Sequence, residues 1–213
     1  MSVEFKDTQE NLSEALMKTV HSISGETVTL RQLFELIGEQ GLWFLCALLC
    51  IPFLIPVSIP GVSTVFGAAI ILIGVAILMN RIPWLPRRIM DRPIATAQLI
   101  PTLEKGAQTV ARIDKMIRPR MLKLTEGAVM NRVNGLALVF GGVLLIFPLG
   151  LIPFSNTLPA LAILFLVVGV LQRDGIFVLL GYLMLVVTVI YFGALFVGAV
   201  LAGRGLTSLL GSG

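Results

Sequence analysis

The chain has 213 residues, and its 16 lysines and arginines against 12 acids give it a formal net charge of +4 at pH 7. Apolar residues make up 56% of the sequence and charged residues 13%, and the mean hydropathy is +0.95. This balance leaves too little polar surface for a soluble globule. It predicts a single membrane domain over residues 1–213 and excludes a sizeable soluble catalytic domain.

Residues 1–40 form an amphipathic N-terminal region that we expect to lie outside the bilayer. The first 28 residues are mixed polar, without an uninterrupted apolar core, so no cleavable signal peptide is expected. Apolar residues recur at helical spacing between Leu12 and Ile23. Thr29 and Gln32 then fit a capping box, which predicts the start of a second helix.

Residues 41–79 are free of charge and are predicted to form a first broken hairpin. Prolines, small residues and hydroxyls interrupt the segment at Pro52, Pro56, Ser58, Pro60 and Ser63. Its first limb, Gly41 to Ile51, would rise only about 16 Å as a helix. That limb is therefore either re-entrant or extended backward by the amphipathic segment before it.

Residues 80–134 form a basic connector. It holds eleven of the sixteen lysines and arginines against four acids, a net charge of 11 − 4 = +7, and the positive-inside rule therefore places it in the cytoplasm. Apolar residues at helical spacing between Leu103 and Ile117 predict an amphipathic helix on the membrane surface that attracts anionic lipid. Nucleic acid is not an expected partner. The charged candidates for function in this region are Arg81, Asp114, Arg118 and Arg120.

Residues 135–172 form the second broken hairpin, around which the chain is organised. Thirty-eight residues without charge would make a helix of about 57 Å, nearly twice a hydrocarbon core, so the segment must turn back. The turn contains Ser155, Asn156 and Thr157, which can bond backbone groups that lipid leaves unpaired or can face a cavity. Together with Ser58 and Ser63 they are the substrate or cavity candidates.

The two hairpins resemble each other as an internal repeat would. Gly41 with Gly135, Pro52 with Pro148 and Gly74 with Gly169 give offsets of 94, 96 and 95 residues. Paired interrupted segments are typical of transporters that bind substrate between two repeats. Two unrelated apolar hairpins with proline tips would also look alike.

Residues 173–203 predict one transmembrane helix, and residues 204–213 a short tail. Arg173 and Asp174 precede it, and they are further charged candidates. Each hairpin returns the chain to its starting side, whether it is re-entrant or spans fully. The N-terminus, the connector and Arg173 are therefore expected in the cytoplasm, with the C-terminus on the far side.

Five short motifs carry a family resemblance. In chain order they are PGVS at Pro60–Ser63, WLP at Trp84–Pro86, RPR at Arg118–Arg120, PFSNTLPA at Pro153–Ala160 and QRDG at Gln172–Gly175. Their order and spacing resemble those of the exopolysaccharide-synthesis ExoD family of bacterial inner-membrane proteins. The resemblance implies a role in exopolysaccharide production and brings no established catalytic residues. It also implies an acid shortly before RPR, a place that Asp114 fills.

Motifs of enzymes are not found: there is no Gly-x-Ser-x-Gly, no phosphate loop and no histidine-containing metal cluster. We expect a protein that is not an enzyme and needs no cofactor or metal, with an intramembrane enzyme as an open alternative. Two functions compete. One is a small carrier that handles an anionic lipid or lipid-linked saccharide at the broken hairpins. The other is a non-transporting accessory or regulatory protein of the polysaccharide assembly machinery. Expected partners are membrane lipids, polysaccharide assembly proteins and further copies of the chain.

Overall fold

The computed structural model describes residues 25, 27–54, 61–80, 91, 93–97, 100–101, 104, 119–147 and 152–210. Five helices make up most of this part: α1 (Leu30–Cys50), α2 (Val62–Leu78), α3 (Ala128–Ile146), α4 (Thr157–Leu171) and α5 (Gly175–Leu210). Two strands, β1 (Thr27–Thr29) and β2 (Pro93–Ala95), and two 3-10 turns, Ile51–Leu54 and Leu122–Leu124, complete it. The predicted all-α class is therefore confirmed, with one small addition.

That addition is the antiparallel ribbon of β1 and β2. Thr27 pairs with Ala95 and Thr29 with Pro93, which ties the chain before α1 to the basic connector. The sequence prediction missed the ribbon because three residues are too few to show an alternating pattern.

Helix α1 contains the first limb of the predicted first hairpin. Thr29 caps it, and both hydrogen bonds of the predicted capping box with Gln32 are present. At Gly38, where φ is 65° and ψ is −150°, a kink separates two helical parts, and the second part continues to Cys50. The amphipathic segment therefore leads into the first limb through this kink, and the choice between a re-entrant and a backward-extended limb stays a prediction.

Glycines set the contact between α2 and α3. A Cβ atom on Gly67 would lie 2.6 Å from Ile146 Cγ1, and one on Gly142 would lie 3.1 Å from the Gly67 carbonyl oxygen. Nearer the other ends of the two helices, a Cβ atom on Gly74 would lie 3.2 Å from the Gly135 carbonyl oxygen. The helices are therefore antiparallel and their backbones nearly touch, as small residues allow in membrane proteins.

The other helices also pack in pairs. Helix α4 packs along α5. The first limb of each predicted hairpin packs on the second limb of the other, so that α1 packs on α4 and α3 packs on α2. One core unites them, and it includes Leu42, Trp43, Cys46, Cys50 and Ile163. The two cysteines are free and act as small apolar core residues. The internal repeat stays a prediction.

Two helix boundaries differ from the prediction. Helix α3 begins at Ala128, seven residues before the charge-free segment predicted from residue 135, because the polar residues of its first two turns are tolerated where Asn134 finds hydrogen-bond partners. Helix α5 continues to Leu210 rather than ending at residue 203. Among the described residues, two helical segments are long and apolar enough to cross a membrane, Ala128–Ile146 and Gly175–Ala202. The predicted amphipathic helix of residues 12–23 lies outside the described residues, and so does that of residues 103–117 apart from Glu104, which is helical.

Candidate functional site

Polar groups gather at the two ends of α4. We call residues 152–157, which precede the helix, the tip. We call residues 119–126 together with residues 172–175, which follow it, the junction. The fifteen residues of α4 rise about 22 Å, so the tip and the junction are distinct sites at opposite ends of one helix.

The tip is a tight turn held by its own hydrogen bonds. Ser155 is buried and its hydroxyl donates to the Ile152 carbonyl oxygen at 2.8 Å. Phe154 adopts a left-handed conformation with φ of 63°, which is unfavourable for a bulky residue. From α5, the Tyr191 hydroxyl donates to the Pro153 carbonyl oxygen at 2.7 Å. Ser155 and Tyr191 therefore brace the turn.

Asn156 differs from these bracing residues. It occupies the N-cap position of α4, yet its side chain caps no backbone N–H. The residue is only 7% exposed, and its amide oxygen Oδ1 has no hydrogen-bond partner among the described residues. Because an unpaired buried acceptor costs about 1–3 kcal/mol, its presence calls for an explanation. An acceptor of this kind is available to a donor from a ligand.

The N-terminus of α2 lies at the same end of the bundle as the tip, because α2 and α3 are antiparallel and α4 follows α3. Its N-cap is Gly61, with φ of 84° and no side-chain cap. Ser63 lies half-buried in the first turn, and Thr157 is half-buried at the start of α4. Two helix N-termini without side-chain caps therefore share this end, where their dipoles favour negative charge. Ser58 lies outside the described residues.

The junction brings two of the sequence motifs together through backbone hydrogen bonds. The Arg120 N–H donates to the Arg173 carbonyl oxygen at 3.1 Å, and the Gly175 N–H donates to the Arg120 carbonyl oxygen at 2.7 Å. A Cβ atom on Gly175 would lie 2.7 Å from Met121 Cβ, which explains the glycine at this position. Arg120, the last residue of the RPR motif, is thus hydrogen-bonded to the α4–α5 turn on both sides of its peptide.

Asp174 and Arg173 have separate partners within the junction. Asp174 is 4% exposed, and its Oδ1 accepts from the Ile176 N–H at 2.9 Å, so it caps α5. The Arg173 guanidinium lies 3.6 Å from the Glu126 carboxylate. Both groups are partly exposed, so this ion pair adds at most about 1 kcal/mol.

Arg173 also has an unusual backbone. It ends α4 in the left-handed region with φ of 53°, where glycine is the usual residue. The Asp174 N–H donates to the Gly169 carbonyl oxygen at 2.8 Å, which completes a Schellman motif. An arginine that occupies a glycine position indicates a use for its side chain.

Sequence reasoning missed a hydrogen-bonded polar pair beside the junction, formed by Asn134 and Tyr182. Asn134 is fully buried; its amide donates to the Leu124 carbonyl oxygen at 3.0 Å and its Oδ1 accepts from the Tyr182 hydroxyl at 2.5 Å. The available signal was the polar residue directly before the charge-free stretch. Of the other charged candidates, Arg120 is exposed at the junction, and Arg81, Asp114 and Arg118 lie outside the described residues.

Comparison with known proteins gives one family. The family model described as exopolysaccharide synthesis, ExoD, matches residues 12–194. Protein ExoD of Rhizobium meliloti is 61% identical over 207 residues, which cover 97% of this chain and 86% of that protein. An uncharacterised protein of Synechocystis is 27% identical over 177 residues, which cover 79% and 82% of the two chains. No solved structure is significantly similar.

Proposed function

The chain belongs to the ExoD family of exopolysaccharide synthesis, and from that premise we propose that it is a small carrier of the bacterial inner membrane. Its cargo is an anionic lipid or a lipid-linked saccharide, and the tip is where the cargo binds. The observation that carries the proposal is the buried Asn156 Oδ1 without a hydrogen-bond partner among the described residues.

The exposed surface of the helices supports a location in the membrane. Large apolar side chains point outward on three helices, as with Val65 (66% exposed), Val129 (75%) and Phe196 (71%). Only 11% of the apolar stretch within Gly175–Ala202 of α5 is buried, whereas the core helix of a soluble protein would be mostly buried. A continuous apolar surface of this extent needs a lipid environment.

The helix lengths support a position for the tip near one face of the bilayer. Helices α2, α3 and α4 have 17, 19 and 15 residues, so they rise about 22–28 Å against a hydrocarbon core of about 30 Å. Each hairpin then crosses most of the membrane. With the basic connector in the cytoplasm, the tip lies toward the far face and α5 ends beyond it.

The chemistry of the tip suits an anionic, hydroxyl-bearing cargo. The uncapped N-termini of α2 and α4 favour a negatively charged group, as the half-helices of transporters do. The Asn156 Oδ1 accepts a hydrogen bond, which a sugar hydroxyl can donate. These two features together match a phosphate attached to a saccharide better than they match an apolar cargo.

The replacement Asn156→Ala tests this proposal in cells. In a bacterium lacking its own ExoD protein, the variant should reduce exopolysaccharide at least tenfold relative to the unaltered chain. Thermal unfolding in detergent should occur at the same or a higher temperature, because the change removes an unpaired buried acceptor. The matched control is Ser155→Ala, which removes a bracing hydrogen bond and should lower stability rather than abolish function.

The alternative is an accessory protein that holds the assembly machinery without moving a lipid. The exposed apolar face of α5 favours it, since such a face can bind another membrane helix. Under this alternative Asn156→Ala leaves polysaccharide output unchanged, and replacements on the α5 face reduce it. If Asn156→Ala instead lowers stability in proportion to output, Asn156 braces the turn and the cargo site is refuted.

A further inference from the structure

A groove separates α3 from α5 on the outside of the bundle. These helices both pack on α4 but touch each other little, and the space between them has a volume of about 460 Å³. Val133, Leu136 and Phe140 form one wall, and Tyr182, Val186 and Val189 the other. The volume falls in the range of about 300–1,000 Å³ that is typical of ligand sites.

The walls of the groove are almost entirely apolar. From Tyr182 to Ile190 the groove follows α5 for about 12 Å between side chains of α3 and α5. An extended hydrocarbon chain matches these walls because it needs no hydrogen-bond partner along its length.

The head of the groove is polar and carries positive charge. The Tyr182 hydroxyl bonds Asn134, and Asn134 bonds the Leu124 carbonyl oxygen, so the Leu122–Leu124 turn lies at this end. Lys123 in that turn is exposed, and so is Arg132, one helical turn before the wall residue Leu136. Apolar walls below two exposed cations match the two parts of an anionic lipid.

We infer that this groove binds one anionic membrane lipid, with a hydrocarbon chain between α3 and α5 and its phosphate at Lys123 and Arg132. The inference rests on the proposed membrane location but not on transport, because its polar head uses Lys123 and Arg132 at the junction end of the bundle and its lining includes none of the residues of the tip. Bound lipid would fill the space between α3 and α5 and hold them at their present separation. The site is therefore structural or regulatory rather than the cargo site.

Charge at the head of the groove can be removed without disturbing packing. The protein is purified in mild detergent and titrated with phosphatidylglycerol, and bound lipid is counted by native mass spectrometry. Lys123→Gln/Arg132→Gln should weaken binding about 30-fold, or about 2 kcal/mol at about 1.4 kcal/mol per tenfold change. Lys123→Arg/Arg132→Lys keeps both positive charges and should leave the affinity little changed.

The groove itself is tested independently by filling it. Val186→Trp should reduce bound phosphatidylglycerol, whereas Leu72→Trp, on the outward face of α2, should not. Binding of phosphatidylethanolamine with the same affinity would contradict the role of charge. If each variant and its control changed lipid binding equally, the groove would not be the site. Efficient disulfide cross-linking of two Val186→Cys chains would assign the groove to a second copy. Protein found in the aqueous fraction would refute the membrane location itself.

Discussion

The hydrogen-bonded pair Asn134 and Tyr182 joins α3, α5 and the Leu122–Leu124 turn, so its removal should destabilise the junction by a measurable amount. Tyr182→Phe deletes the hydroxyl and leaves Asn134 Oδ1 buried without its donor, which should cost about 1–2 kcal/mol. Asn134→Leu deletes both hydrogen bonds and leaves the Leu124 carbonyl oxygen unpaired, which should cost about 2–3 kcal/mol. The double variant should be more stable than the sum of these losses suggests.

The summed loss of the two single variants minus the loss of the double variant is the coupling free energy of the pair. Hydrogen bonds between membrane helices average about 0.6 kcal/mol in such cycles and reach about 1.7 kcal/mol. Since Asn134 is fully buried, we expect a coupling of about 1 kcal/mol. Unfolding is followed in mixed micelles by tryptophan fluorescence, with the buried Trp43 as reporter. Tyr191→Phe is the control. Tyr191 lies on α5 beside the tip, and its replacement should show no coupling to Asn134→Leu. A coupling below about 0.3 kcal/mol for the pair would refute the arrangement.

Further predictions concern the backbone, helix packing and topology. Arg173→Gly should be about 1 kcal/mol more stable than Arg173→Ala in the same unfolding assay, because only glycine adopts the left-handed conformation freely; equal stabilities would contradict the assigned backbone. Gly142→Leu should prevent folding or cost more than about 3 kcal/mol, because its Cβ would lie 2.8 Å from Ile71 Cγ1, whereas Gly193→Leu meets nothing within 4 Å and should be tolerated. Cysteine labelling should find Lys105 in the cytoplasm and Leu210 on the far side. Labelling of both positions on the same side of the membrane would contradict the predicted number of spans.

Much of the architecture could be predicted because long apolar stretches without charge favour helices. Such stretches indicated the all-α class and the position of α5, and the Thr29 capping box indicated the start of α1. The β1–β2 ribbon was not predictable, since its three-residue strands carry no periodicity. The start of α3 at Ala128 was also missed, because polar residues in its first turns resemble a loop until their partners are known.

The candidate site was predicted in part. Ser155 and Asn156 were expected to act at the turn, and only the structure separated a bracing serine from an unpaired amide. Arg120 and Asp174 were chosen as charged residues, but their contact depends on backbone pairing across more than fifty residues of chain. The partner of Asn134 on α5 was likewise hidden, because no spacing rule connects residues on separate helices.

Transport by the purified protein tests the central claim most directly. Vesicles containing the protein and a fluorescent anionic lipid in both leaflets are treated with a membrane-impermeant quencher, and lipid movement between leaflets is followed as loss of fluorescence. The unaltered protein should move the lipid faster than protein-free vesicles do, and Asn156→Ala should return the rate to the protein-free value. If the unaltered and correctly inserted protein moves the lipid no faster than empty vesicles, the carrier proposal is wrong and the accessory role is left.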